Sequence, residues 1–575
     1  MKLKTVFCSS LAKVLPSAGP EIEIRRGCTL RGERFSFQLA YRVTDAWRGQ
    51  LEVRAESPFG NALRIRKAGL VPVEYTGIVF DDDIISREPG LYPDVLSDLD
   101  GEGAPALPSW QSLWFTVDVP ADFPAGVHEI RIHLRAVWPH QPVPDETDCG
   151  IKTFRLEVLD AVLPEQKLKN THWFHCDCLA DYYGVPVFSE EHWRIIGNFM
   201  KNAAAHGINM ILTPVFTPPL DTAVGSERPT VQLVKVKRTR GRKYTFDFSL
   251  LERWIALAQK CGIRYFEISH LFTQWGARFT PKIVAEVNGK EKRIFGWDVE
   301  AGSPEYRRFL DAFLPELAAF LKKKKLQKRT YFHCSDEPYE AHLDQYKADK
   351  AIMTKHLSGF RIMDALSHVE YYREGIVTTP VPSEAHLEEF LAAGMKERWT
   401  YYCCGPVTVY SNRFIHMPSS RNRIFGTLLY LYGIEGFLHW GFNFYYSGHS
   451  RFPIDPYRCN HAGYFFPAGD PFVVYPGKNG VPEDSIRHEV FYEGLQDQRA
   501  LEKLESLIGR EKVLKELDRC APGGKMKIDR YPKGEKAVSA LRGKVNSLIR
   551  KALETNRQHP DNHNTKGGMR CRNSK

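Results

Sequence analysis

Residues 303–338 read SPEYRRFLDAFLPELAAFLKKKKLQKRTYFHCSDEP, one amphipathic helix followed by one short apolar strand. Ser303 and Pro304 suit a helix start, because a serine cap accepts from an otherwise unpaired amide and proline brings no amide of its own. Phe309, Phe313, Leu317 and Phe320 recur every three or four residues and share one helical face. Lysines 322–325 follow where cations suit the negative end of the helix dipole, so the run reads as a solvated helix end rather than a binding patch. The strand then runs from Arg329 into Asp336 and Glu337, and Pro338 stops it. A helix delivering an apolar strand whose far end carries two adjacent carboxyls is the repeating unit of a parallel α/β fold, with reactive groups at the strand's C-terminal end.

The same rhythm recurs on either side. Ser189 caps a helix bearing Trp193, Ile196, Phe199 and Met200, Gly207 ends it, and INMILTP follows at 208–214. LLERWIALAQK at 250–260 leads through Gly262 into RYFEIS at 264–269. The strands THWFHCD, INMILTP, RYFEIS, RTYFHCSDE, GFRIMDA, GIVTTP, WTYYCCG and GFLHWGFN make eight, enough to close a (β/α)8 barrel. Before Pro164 the pattern is different. EIEIR, RFSFQLAYRV, QLEVRA, SLWFTVDVP, HEIRIHLRAV and TFRLEVL alternate polar and apolar residues between turn clusters such as PADFPAGVH, which predicts half-buried strands in an antiparallel β-sandwich. The expected fold is therefore multidomain β plus α/β: a sandwich over 1–165, a TIM-type barrel over 166–505 and a basic helical extension over 506–575 whose last residues are disordered in composition.

The formal net charge of +10 lies entirely in residues 521–575, where 14 Lys and Arg face 4 Asp and Glu. The remainder is neutral overall, which argues against a nucleic-acid surface around a cleft. No stretch reaches the ~18 apolar residues of a membrane span, and Lys13 and Pro16 interrupt any apolar leader, so a cytoplasmic location is expected. Twelve Cys at irregular spacing, with Cys403 and Cys404 as neighbours on an apolar strand, fit reduced core thiols. His175, Cys176, Asp177 and Cys178 are crowded, but neighbours on a strand point to opposite faces and do not converge on one ion, so no metal is expected. No GxGxxG after a strand, GxSxG or GxxxxGK[ST] motif occurs.

Asp336 and Glu337 form the strongest candidate site. Cleaving a glycosidic bond requires a proton on the leaving oxygen and stabilisation of positive charge at the anomeric carbon. Adjacent carboxyls cannot approach that carbon from opposite sides, but they suit a substrate-assisted route in which a 2-acetamido carbonyl is the nucleophile. Asp336 would then accept the amide N–H and Glu337 would act as acid and base. Trp173, His175 and Asp177 at the first strand end, Glu267, His270 and Trp275 after the third, Tyr402 on the seventh and Trp440 and Asn443 on the eighth offer ring faces and hydrogen bonds to a sugar.

Residues 25–505 resemble glycoside hydrolase family 123, the β-N-acetylgalactosaminidases. The resemblance rests on PADFPAGVHEIRIHL, WFHCD, FDFSLLERWIALAQKCGIRYFEI, SDEP, TYYCCGP, GFLHWGFN, DPFVVYPG and SIRHEVFYEGLQD. It implies retaining, oxazolinium-type release of terminal β-linked N-acetylgalactosamine from an oligosaccharide or glycoconjugate, with the family's Asp and Glu at Asp336 and Glu337 and no cofactor. It also suggests a contact from Tyr371 or Tyr372 to the acetamide. The alternatives are another exo-glycosidase, such as a β-N-acetylglucosaminidase or one acting on a sugar without the acetamide, and a non-catalytic glycan-binding barrel.

Overall fold

The computed structural model describes residues 2–45, 49–99, 103–137, 147–239, 243–274, 276–338 and 343–558. Its N-terminal part is a sandwich of a seven-stranded and a five-stranded sheet. Alternation decides the packing: the inward residues of both sheets meet in one apolar layer that includes Phe7, Phe37, Leu113, Phe115, Ile132 and Phe154. Phe37 of strand Arg34–Val43 and Phe154 of strand Thr147–Val162 stack across the two sheets at 3.9 Å. Pairing is antiparallel as expected except that Arg26–Arg31 runs parallel to Thr147–Val162. The chain also returns to this sandwich after the barrel, because Glu483–Ser485 pairs with Gly90–Asp98 and Val474–Tyr475 lies outside it.

The barrel holds eight parallel strands: β1 (Lys169–His172), β2 (Met210–Thr213), β3 (Tyr265–Ile268), β4 (Thr330–Phe332), β5 (Arg361–Leu366), β6 (Thr379–Pro382), β7 (Trp399–Tyr401) and β8 (Gly436–His439). Hydrogen bonding runs from β6 through β5, β4, β3, β2, β1 and β8 to β7, and a single parallel bridge between Ser383 and Tyr401 brings the two ends together. Residues of period two divide the strands between two layers. Met210, Leu212, Tyr331, Met363, Val381, Trp399 and Tyr401 fill the interior, while Ile211, Phe266, Phe332 and Ile362 pack outward against the helices.

The helices form as their caps indicate. In α1 (Glu190–Ala205) the Ser189 hydroxyl accepts from the amide of His192, and in α2 (Pro304–Lys323) Ser303 accepts from Tyr306. A four-stranded sheet that the sequence reading did not anticipate stands beside the barrel: Tyr244–Asp247, Lys235–Arg238, Ile283–Val287 and Lys290–Phe295, in that order. Its strands carry many Lys, Arg and Glu residues, and only alternate side chains are buried.

The basic segment beyond 506 is packed down along part of its length. Helix α3 (Ile486–Ile508) is followed by α4 (Arg510–Cys520) and α5 (Glu535–Gln558). Helix α5 buries Val538, Leu541, Val545 and Ile549, and its Arg542 bridges Glu33 of the sandwich and Asp497 of α3 at 2.7 and 2.6 Å. Residues 559–575, expected to be disordered, lie outside the described residues. Among the described residues no helix is long and apolar enough to cross a membrane.

Candidate active site

The C-terminal ends of the barrel strands surround a pocket that opens to solvent. Trp173 and His175 come from beyond β1, Leu220 and Asp221 from the loop after β2, Gln274 from beyond β3, and Asp336 and Glu337 from beyond β4. Tyr401 ends β7 and Cys403 and Cys404 follow it, Leu438 belongs to β8 with Trp440 just beyond, and Phe466 comes from a later loop.

Both predicted carboxyls line this pocket. Glu337 has φ +45°, in the left-handed region that a non-glycine residue seldom occupies, at a cost of about 1–3 kcal/mol. Strain of that size persists only where the surroundings impose it, and here Pro338 follows while the Tyr401 phenol donates to Glu337 Oε1 at 2.9 Å. Burial, and then the adjoining Glu337 carboxyl, push Asp336 well above the usual carboxylate range.

Beneath the pair lies a buried charged network. His333, three residues before Asp336, places Nε2 2.5 Å from Glu267 Oε1 and Nδ1 3.4 Å from Asp364 Oδ1. Burial alone would discharge this ring, but hydrogen bonds to Asp364 and Glu267 raise it to about 10. Glu267 also accepts from the Trp173 indole and the Thr171 hydroxyl, each at 2.6 Å, so it fixes the tryptophan that walls the pocket. Asp364 accepts from the Cys334 amide at 3.0 Å and the Tyr346 phenol at 2.5 Å. His270 stacks on His333 with centroids 4.3 Å apart, and burial beside that cation holds it well below the ordinary histidine value.

The remaining candidates divide. Trp173, His175 and Trp440 face the pocket. Asp177 is instead a buried ion-pair partner: Arg228 donates to both its oxygens at 2.7 and 2.9 Å, and to His175 Nδ1 at 3.1 Å. His175 Nε2 in turn donates to the Trp440 carbonyl at 3.0 Å. Burial, then the Arg228 charge, hold His175 neutral, down to about 3. Asn443 clamps the backbone of His175, accepting from its amide at 2.9 Å and donating to its carbonyl at 3.0 Å. Tyr402 points outward onto Phe425, Phe437 and His439, and its neighbour Tyr401 takes the inward position expected of it.

Tyr371 is buried against Tyr346 and His368, and the Tyr372 hydroxyl donates to the Gly394 carbonyl; neither lines the pocket. Trp275 lies outside the described residues. Cys403 and Cys404, expected as core thiols, stand in the pocket wall, half-buried and exposed respectively. Arg228, Asp221 and Gln274 were not anticipated. Arg228 and Asp221 fall in a long loop without period, and Gln274 had no motif to mark it.

Among the described residues, the donor atoms of two groups of histidine and carboxylate side chains lie within 4.8 Å of one another, His270 with His333 and Asp364, and His206 with Asp484 and His488. Neither donor set suits a metal. His333 turns both ring nitrogens to carboxylates, and His206 faces the Asn202 carbonyl with Nδ1 and the Arg34 guanidinium with Nε2.

The described fold is similar to that of a family 123 glycoside hydrolase from Clostridium perfringens, solved in a study of glycolipid glycan hydrolysis. The TM-score is 0.70 and the identity 16%, over 97% of this chain and 99% of that one. A crystal structure of a β-galactosidase assigned in Bacteroides fragilis matches more distantly, with a TM-score of 0.32 and 9% identity over 80% of this chain and 58% of that one. No curated protein sequence matches. Residues 173–504, from the pocket tryptophan Trp173 to Leu504 on α3, match the glycoside hydrolase 123 catalytic domain, and the chain belongs to that family.

Proposed function

We propose that this glycoside hydrolase is a retaining exo-enzyme that releases terminal β-linked N-acetylgalactosamine by substrate-assisted hydrolysis. The observation that carries the reading is that Asp336 and Glu337, adjacent on one strand end, line the same pocket, with Glu337 held by Tyr401. Two adjacent carboxyls share one proton, and the acetamide N–H, donated to Asp336, favours that proton on Glu337 and turns the acetamide carbonyl oxygen toward the anomeric carbon. That oxygen forms the new bond as the glycosidic bond breaks, and Glu337 gives its proton to the departing oxygen. Asp336 stabilises the oxazolinium cation. Glu337, now a carboxylate, removes a proton from water, which opens the ring with net retention. Trp173, Trp440 and Phe466 supply apolar faces for the sugar ring.

The Clostridium relative was studied for glycolipid glycan hydrolysis, and a glycolipid headgroup is part of the proposed substrate range here. Exposed apolar residues support that part. Phe452, Tyr464 and Phe465 are 55%, 60% and 46% exposed in the loops that supply Phe466 to the pocket.

A second reading is favoured by Asp221, the one further carboxylate lining the pocket among the described residues. It could serve as a protein nucleophile on a sugar lacking the acetamide. Two features weigh against it: Asp221 Oδ2 already accepts from the His449 amide at 3.1 Å, and burial raises the group to about 6, which reduces its nucleophilic form.

Release of 4-nitrophenol from the β-N-acetylgalactosaminide, β-N-acetylglucosaminide and β-galactoside, measured side by side, separates these. Turnover of acetamido sugars alone is expected, with the galactosaminide preferred. Turnover of the plain galactoside would overturn the acetamide route, and preference for the glucosaminide would overturn the sugar.

A further inference from the structure

The proposed chemistry makes no use of the two thiols in the pocket wall. Cys403 and Cys404 follow β7 with Tyr402 between them and Tyr401, and their Sγ atoms lie 3.7 Å apart. Cys404 is the one exposed cysteine among the described residues, and Cys403 is half-buried. The turn that presents them is tied on two sides. The Cys403 amide donates to the Gly405 carbonyl at 2.9 Å, and Asn412 Nδ2 donates to the carbonyls of Cys403 and Pro406 at 2.9 and 3.1 Å.

We propose that Cys403 and Cys404 form a dithiol site in the pocket wall that captures a single-atom thiophile of the trivalent arsenical class, and that the captured group closes the sugar pocket.

The separation decides in favour of a bridging atom over a disulfide. An S–S bond is about 2.05 Å long, so direct oxidation must draw the sulfurs together by roughly 1.6 Å, against a turn held by Asn412. One bridging atom joins them while leaving them well apart. Exposed Cys404 attacks arsenic first, and Cys403 follows as an intramolecular step, which gives the pair a high effective concentration that separate thiols lack. Both thiol protons pass to the arsenical oxygen, which leaves as water. Two As–S bonds form, the As–O bond order is lost, arsenic stays trivalent, and no oxidant or reductant is consumed. The organic group on arsenic is then held among Tyr401, Glu337 and Trp440, where a sugar would enter.

The test is phenylarsine oxide on the intact protein, read by whole-protein mass and by turnover of a 4-nitrophenyl glycoside. One phenylarsenic group per chain is expected, removed by 2,3-dimercaptopropanol and retained in excess 2-mercaptoethanol. Uptake should be lost in both Cys403→Ser and Cys404→Ser, each checked for folding by circular dichroism. Turnover should fall at least tenfold in step with uptake. Unchanged uptake in either variant, or removal by the monothiol, would overturn the dithiol site. Full turnover after stoichiometric uptake would overturn the pocket closure, and because the mass readout needs no catalysis, failure of the sugar assignment is seen separately.

Discussion

Tyr401 on β7 donates its phenolic proton to Glu337 Oε1 beyond β4 across 2.9 Å, so the strand that closes the barrel also fixes Glu337. The bond joins a tyrosine on one strand to a glutamate whose φ of +45° is strained, and it restricts the rotation that would carry the carboxyl out of the pocket. Tyr401→Phe keeps the ring in the barrel interior and removes the donor. Under the proposed route this hydrogen bond supports the carboxylate that forms as Glu337 gives up its proton, and a hydrogen bond to a charged group is worth about 1.5–3 kcal/mol, so kcat should drop about ten- to hundredfold with KM nearly unchanged. Steady-state kinetics on one glycoside checks it, and a change confined to KM would make Tyr401 a wall of the pocket only.

Asp336 and Glu337 carry different duties under the proposed route, and leaving-group chemistry separates them. Glu337→Gln should lower turnover by about a hundredfold to ten-thousandfold, the range for a general acid, with the smaller loss on 4-nitrophenyl glycosides whose leaving group needs little protonation. Asp336→Asn should damage activated and unactivated substrates alike, because the cationic intermediate loses its support. Equal losses in the Glu337 variant would remove its acid role, and near-wild-type rates in the Asp336 variant would remove Asp336 from the mechanism.

The eight barrel strands were legible because each is a short apolar run between glycines, prolines or helix ends, but β4 ends at Phe332, and the stretch to Glu337 that was read as the same strand leaves it as a loop before Pro338. Period two also separates Tyr401 from Tyr402, since Trp399 and Tyr401 share the inward face. Reading the second tyrosine as the sugar contact neglected that alternation. Asp177 and Asn443 were found as polar residues at strand ends, but their partners lie 51 and 268 residues away in sequence, and no local pattern reports a partner at that distance. Arg228 and Asp221 sit in a loop whose conformation is set by what it covers. The charged four-stranded sheet escaped notice because half its residues face water and its edges lack strong turn signals.

His333 should govern how stability varies with pH. Its folded-state value of about 10 lies above the ordinary 6.5, so the stability it lends is complete below pH 6.5 and drains away as pH rises toward 10. The groups facing it are Glu267, Asp364, the stacked His270 and the nearby Asp336. His333→Gln leaves two buried carboxylates without their cation, so its melting temperature should fall furthest below wild type near pH 6. The gap should then narrow steadily toward pH 10. Thermal melts from pH 6 to 10 decide this, and a gap constant over that range would mean that His333 contributes packing and no charge.

Arg542 tests whether the basic C-terminal segment is part of the folded unit. It donates to Asp497 on α3 and Glu33 in the sandwich while 8% exposed, with Asn546 holding its Nε at 2.9 Å. Removing one partner of a buried pair costs about 3–5 kcal/mol, because the opposite charges stay buried without compensation. Arg423 also pairs with Asp497 at 2.8 Å, which softens the loss at that end, so Arg542→Ala is expected near the lower figure. Lys544 on the same helix meets Glu516 at 2.6 Å but is 38% exposed, and Lys544→Ala should cost no more than about 1 kcal/mol. Urea unfolding in low and high salt distinguishes them. Added salt should shrink the small Lys544 effect and leave the large Arg542 effect nearly intact, because buried pairs are screened less than exposed ones. Equal and small losses in both variants would mean that α5 is held by its apolar face alone.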